Sequence, residues 1–90
     1  DDIIKAIPDL AKKTGVFAEP AGAATWAGLK KAVQNGMLTS DDTIVVINTG
    51  NGLKDINSAM KAVELTNVKY FKVEPSINKF RKIASDLNFN

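Results

Sequence analysis

The stretch Thr43-Ile44-Val45-Val46-Ile47-Asn48-Thr49-Gly50-Asn51-Gly52-Leu53-Lys54 decides how the chain is read. An apolar, β-branched run ends abruptly in a polar loop, the pattern of a buried strand feeding a tight turn. Ile44, Val45, Val46 and Ile47 show no alternation. Such a strand is covered on both faces, as in a parallel sheet with helices above and below. In open α/β sheets, ligands bind outside the carboxyl ends of strands, and the loop after Ile47 stands at such an end. It offers the Thr49 hydroxyl and the amides of Asn48 and Asn51. Gly50 and Gly52 would supply turn geometry and let backbone approach a ligand closely.

Upstream of this stretch the pattern is helical. Ile3, Ile4, Ile7, Leu10 and Ala11 recur at helical spacing behind Asp1 and Asp2, which can cap. Pro8 interrupts that helix and predicts a kink or a late start, and Gly15 is placed to end it in the left-handed conformation. Val16–Ala18 reads as a short extended segment. Glu19-Pro20 opens a second helix, with proline at the first helical position and an acid suited to the helix dipole. That helix runs to about Asn35, and Gly36 ends it. Ala21, Ala24, Thr25, Gly28, Leu29 and Ala32 form a stripe of mostly small residues, suited to close packing on a sheet rather than to direct ligand contact. Trp26 lies off that stripe.

Downstream, Asp55 can cap a helix carrying Ile56, Ala59, Met60 and Val63. Val68–Val73 reads as extended. Pro75-Ser76 starts a closing helix with Ile77, Phe80, Ile83, Ala84 and Leu87 inward and Lys79, Arg81 and Lys82 towards solvent. One convincing strand and two weak ones, at 16–18 and 68–73, are too few to build a parallel sheet. The expectation is therefore an incomplete α/β piece, with residues 1–90 forming one segment of a larger domain.

Composition narrows the chemistry. The chain has 90 residues, no cysteine and no histidine. That excludes a disulfide framework, a Cys/His zinc site and a catalytic Cys or His within it. Net charge is +2, too little to imply nucleic acid. The basic excess lies in residues 61–90 and reads as a solvated helix face. No apolar run approaches the roughly 18 residues of a membrane span. The opening Asp-Asp is not the basic start of a signal peptide. A cytoplasmic protein with no membrane partner is the expectation.

Two motifs stand in order: Glu19-Pro20-Ala21-Gly22-Ala23-Ala24 and Thr49-Gly50-Asn51-Gly52-Leu53-Lys54-Asp55. Together they resemble the carboxyl-terminal part of the threonine synthase family, within the fold-type II pyridoxal phosphate enzymes. Asp1–Gly15 resembles the helix before the first motif, and Val73–Leu87 the family's chain end. Related dehydratases and racemases share a Glu-Pro-x-x-Ala element, whereas the second string is closer to threonine synthase. The resemblance implies a fragment of a three-layer open-sheet domain of the tryptophan synthase β-like kind, with helices around a parallel strand. It implies conversion of O-phosphohomoserine and water to threonine and phosphate.

By the same resemblance, Thr49 hydrogen-bonds the pyridine nitrogen of pyridoxal phosphate, with Gly50 and Asn51 beside it as cofactor-binding residues. The alternative for Thr49 is a strand-end hydroxyl satisfying a turn, and for Asn51 an Asx turn. Glu19 is assigned a structural part at the helix start, and Lys54-Asp55 a local ion pair or cap. The family's Schiff-base lysine, its asparagine beside the ring oxygen and its Gly-rich phosphate loop lie upstream and have no counterpart here. The isolated segment is thus expected to be inactive. Its expected partners are an amino-acid substrate and the rest of the enzyme chain, with a homodimer open. Other fold-type II enzymes, such as cysteate synthase or threonine dehydratase, are the nearest alternatives. A small free-standing module using the loop as an anion nest is the more distant one.

Overall fold

Glycine, proline and short polar residues punctuate the chain, and the helices follow that punctuation in the computed structural model, which describes residues 1–88. Helix α1 spans Asp2–Thr14, α2 Pro20–Gln34, α3 Ile56–Glu64 and α4 Ile77–Asp86. A single 3-10 turn, Gly52–Lys54, precedes α3.

α1 begins at Asp2, so the expected late start does not occur; Pro8 lies inside the helix. Proline brings no N–H to the ladder, so one helical bond is missing there. Burial of Ala6, Ile7 and Leu10 on either side of it holds the helix together. Gly15 ends α1 at φ 76°, its N–H donating to the Ala11 carbonyl at 2.8 Å. α2 starts on Pro20, as the Glu-Pro pair predicts. It closes in a Schellman arrangement: Met37 N–H donates to Ala32 O at 2.9 Å and Gly36 N–H to Val33 O at 3.0 Å, with Gly36 at φ 69°. The Asp55 side chain caps α3, accepting from Ser58 N–H at 3.0 Å. Ser76 stands at the cap position of α4.

α1 packs against both α2 and α3. The core they enclose is small: Ala6, Ile7, Leu10, Ala18, Ala23 and Ala62, with Ile4, Trp26 and Ala27 against it. α2 thus turns Gly22 and Ala23 inward, while Thr25, Gly28, Leu29 and Ala32 line a shallow groove with Ile44–Ile47. No residue of α4 is buried, and Ile77 and Phe80, expected inward, are exposed.

The expected parallel strand is not formed. Residues 42–49 carry no strand pairing, and among the described residues the only bridge joins Ala18 to Asn51. Val45 is 83% exposed and Ile47 67%. Val68–Val73 is likewise unpaired, with Tyr70 and Phe71 exposed. A strand is defined by its ladder, and the described residues hold no neighbour that could complete one. The exposed surface measures 7082 Å² for a 9.7 kDa chain. A self-contained monomer of that mass exposes about 5,100 Å². The radius of gyration is 17.2 Å, against about 12 Å for a compact domain of this length. The helices are intact, but their apolar faces outnumber the surfaces present to cover them.

Candidate functional site

Residues 17–22 and 48–55, far apart in sequence, meet edge to edge. Glu19 N–H donates to the Gly50 carbonyl at 3.0 Å, and Gly52 N–H to the Phe17 carbonyl at 2.9 Å. These bonds flank the antiparallel Ala18–Asn51 bridge. Ala18 is fully buried beneath it. Thr25, one turn into α2, adds a third tie: its hydroxyl lies 2.7 Å from the Gly22 carbonyl and 3.3 Å from that of Ile47. The two motifs singled out in the sequence therefore form one structural unit at the amino end of α2.

The glycines of this unit serve close approach and not a left-handed backbone. Gly22, Gly50 and Gly52 all lie outside the positive-φ region that Gly15 and Gly36 occupy. A Cβ on Gly50 would overlap the Glu19 carboxylate, and one on Gly52 would overlap the Phe17 ring. A Cβ on Gly22 would meet the Asn48 amide and the Gly50 carbonyl. Gly52 does open the 3-10 turn, but neither Gly50 nor Gly52 takes a positive φ, so it is the space that each leaves, and not a left-handed backbone, that the fold uses. Each leaves room for a side chain of the facing segment 17–19.

Asn51, Lys54 and Asp55 already have side-chain partners, whereas Asn48 and Thr49 make no side-chain hydrogen bond among the described residues. Asn51 Oδ1 accepts from Leu53 N–H at 2.9 Å, so its side chain forms an Asx turn that starts the 3-10 turn. Lys54 reaches back to Glu19, Nζ to Oε1 3.3 Å. Lys54 and Asp55 therefore do not pair with each other. Asp55 instead holds Ser58 through both carboxylate oxygens, and the Ser58 backbone N–H, then its hydroxyl, keep the Asp55 carboxyl below its ordinary range. Thr49 is exposed, and among the described residues no hydrogen bond involves its hydroxyl. The loop's turn is capped by Asn51, which leaves the Thr49 hydroxyl available to a ligand.

Sequence reasoning missed the network that fixes α2 behind this unit. Asp9 of α1 accepts from the Trp26 indole N–H at 2.8 Å. The same carboxylate holds Lys30 at 3.0 Å and Lys13 at 2.9 Å. The indole bond, then Lys13 and Lys30, hold the Asp9 carboxyl well below the usual carboxylate range. The Lys13 ammonium also lies 5.8 Å from the Trp26 ring centroid, within cation–π reach. The one available signal was Trp26 standing off the small-residue stripe.

Proteins of known function match nearly the whole chain. It is 40% identical over 87 residues to the threonine synthase of Methanocaldococcus jannaschii, covering 97% of this chain and 20% of that protein. It is 46% identical over 65 residues to that of Halalkalibacterium halodurans, covering 72% and 18%. The chain is a segment of the threonine synthase family. The Methanosarcina acetivorans threonine synthase agrees, at 38% identity over 82 residues, 91% of this chain and 19% of that protein. No protein-family model matches. The chain spans about a fifth of the length of the threonine synthases it matches. The unpaired 43–48 segment and the large exposed surface are compatible with a fragment of a longer protein. No described helix is long and apolar enough to cross a membrane, and the described residues contain no metal-ligating cluster.

Proposed function

We propose that this segment is the carboxyl-terminal part of a pyridoxal phosphate-dependent threonine synthase, which converts O-phosphohomoserine and water to threonine and phosphate. Residues 1–90 are an incomplete piece of its catalytic domain. In the complete domain, Ile44–Ile47 enters a parallel open sheet and the exposed faces of α3 and α4 are covered by the remaining chain. The observation that carries the reading is the joining of the Glu19-Pro20 and Thr49–Asp55 motifs by backbone hydrogen bonds, in a chain whose relatives are threonine synthases.

In this reading the Thr49 hydroxyl partners the pyridine nitrogen. A neutral hydroxyl donates to that nitrogen without forcing it to hold a proton, which sets how strongly the ring withdraws electrons. Gly50 and Asn51 border the ring with backbone, since the Asn51 side chain is engaged in its own turn. The cofactor supplies an electron sink at the substrate's α-carbon. This segment contributes the ring-nitrogen edge of the site, and the aldimine lysine and phosphate loop come from elsewhere in the enzyme. An amino-acid substrate and the remainder of the enzyme are the partners, and the setting is cytoplasmic.

The test uses the full-length protein. Purified enzyme supplied with O-phosphohomoserine releases phosphate and threonine in equal amounts. Thr49→Ser keeps the donor and most activity. Thr49→Val removes a hydrogen bond worth about 0.5–1.5 kcal/mol, lowering cofactor affinity roughly 2- to 13-fold. Thr49→Asp favours a protonated ring and shifts the product ratio. If the valine variant equals wild type in affinity, turnover and product ratio, the Thr49 hydroxyl does not partner the cofactor and the reading of this site is wrong.

A further inference from the structure

Glu19 stands at the head of α2 but does not cap it: its side chain makes no bond to the helix N-terminus. The carboxylate turns instead across the bridge and lies over Gly50. The Glu19 side chain is only 16% exposed, while Lys54, which grips it from the far side of the loop, is 65% exposed. The Glu19 backbone N–H holds the carbonyl of the same Gly50. Gly50 is thus gripped by one residue through both its main chain and its open Cα face, directly beside Thr49. On the other flank, Gly22 lets the Asn48 amide and the Gly50 carbonyl settle against α2. The residues on both sides of Thr49 are seated, and the Thr49 hydroxyl between them makes no hydrogen bond among the described residues.

We propose that Glu19 is a positioning residue: held by Lys54 and seated in the space Gly50 leaves open, it sets where loop 49–52 presents Thr49. The glycine at position 50 is required by the Glu19 carboxylate and not by a ligand or by backbone conformation. A side chain at position 50 would force the carboxylate off its seat and move the loop. An exposed ion pair contributes little by itself, so Lys54 acts by keeping the carboxylate in one place. This inference rests on the reading of Thr49 as the residue that meets the cofactor ring.

A double-substitution cycle in the full-length enzyme tests it, with pyridoxal phosphate as the probe. Small displacements in a site cost up to about 100-fold. Gly50→Ala is expected to lower cofactor affinity roughly 10- to 100-fold and to shift the absorption band of the bound cofactor. Glu19→Ala placed in the Gly50→Ala protein removes the overlap and restores part of that affinity. Coupled neighbours interact by roughly 2- to 150-fold, so a coupling above about twofold is the expected result. If Gly50→Ala is as damaging without Glu19 as with it, both in cofactor affinity and in the melt of the cofactor-free enzyme, the glycine serves a ligand or the backbone and the proposal is overturned. Should Gly50→Ala fail to fold, Lys54→Met gives the second arm. It is expected to weaken cofactor binding about threefold, with Lys54→Arg restoring it. Affinity unchanged in Lys54→Met overturns the proposal, which has Lys54 hold the carboxylate in place. Melting of the cofactor-free enzyme separates this inference from the cofactor reading. Coupling between Glu19 and Gly50 in that melt, without coupling in cofactor affinity, supports the clamp and refutes the assignment of Thr49. Its absence from both refutes the clamp.

Discussion

Asp9 offers the strongest single handle on how α2, and with it the Glu19–Gly50 unit, is held. Its carboxylate takes the Trp26 indole N–H at 2.8 Å and the ammonium groups of Lys13 and Lys30 at 2.9 and 3.0 Å. A hydrogen bond from a neutral donor to a charged acceptor contributes about 1.5–3 kcal/mol. The two lysine pairs are partly exposed and contribute about 0–1 kcal/mol each. Asp9→Ala should therefore weaken the α1–α2 contact by about 1.5–5 kcal/mol, most of it through the indole. Asp9→Asn keeps an acceptor for the indole but loses the charge, and should cost about half as much. Trp26→Phe keeps an aromatic ring and deletes the donor together with part of the indole's packing area. In a cycle with Asp9→Ala it isolates the indole bond, with an expected coupling of about 1.5–3 kcal/mol. The assay is native-state hydrogen exchange of the full-length protein, read on peptides from residues 2–34, because it reports local opening of this helix pair separately from global unfolding. A loss of protection below about 0.5 kcal/mol in Asp9→Ala, or no coupling to Trp26→Phe, would refute the reasoning and reduce the network to a surface decoration.

The same carboxyl sets a pH dependence. Asp9 and Asp55 are both held below their ordinary range, so the unfolded chain binds more protons around pH 4 and below. The stability they contribute is present above that pH and is lost as pH falls towards the folded-state values. Protection of α1 and α2 should fall on acidification below about pH 4, more in wild type than in Asp9→Asn; equal slopes would contradict this. The isolated 90-residue chain should associate, since it exposes 7082 Å², about 2,000 Å² more than a compact monomer of its mass. Sedimentation over a concentration series checks this, and a compact monomer at every concentration would show that the chain completes its own fold. Mixed with pyridoxal phosphate and reduced with borohydride, the isolated chain should show only scattered lysine labelling. One stoichiometric adduct would contradict the assignment of the aldimine lysine to another part of the enzyme.

Local chemistry was legible in the sequence because it acts over a few residues. Gly15 and Gly36 stop helices in the left-handed region, Pro20 opens α2, and Asp55 caps α3, each where the sequence places it. The family was legible too, because the Glu19-Pro20 and Thr49–Asp55 strings are continuous. The strand expected at 43–48 was legible as a pattern only: the described residues offer it no pairing neighbour, and it forms no ladder. Only the tertiary structure decided what the glycines are for. Gly50, Gly52 and Gly22 answer to Glu19, Phe17 and Asn48, partners met across a fold and not along a chain. It alone decided that Asn51 shapes its own turn while the Thr49 hydroxyl stays free. It alone joined Asp9 to Trp26, 17 positions away, and Glu19 to Lys54, 35 away. Periodicity and capping say which residues turn or extend, whereas which side chain fills the space beside a glycine depends on how two distant backbones pack.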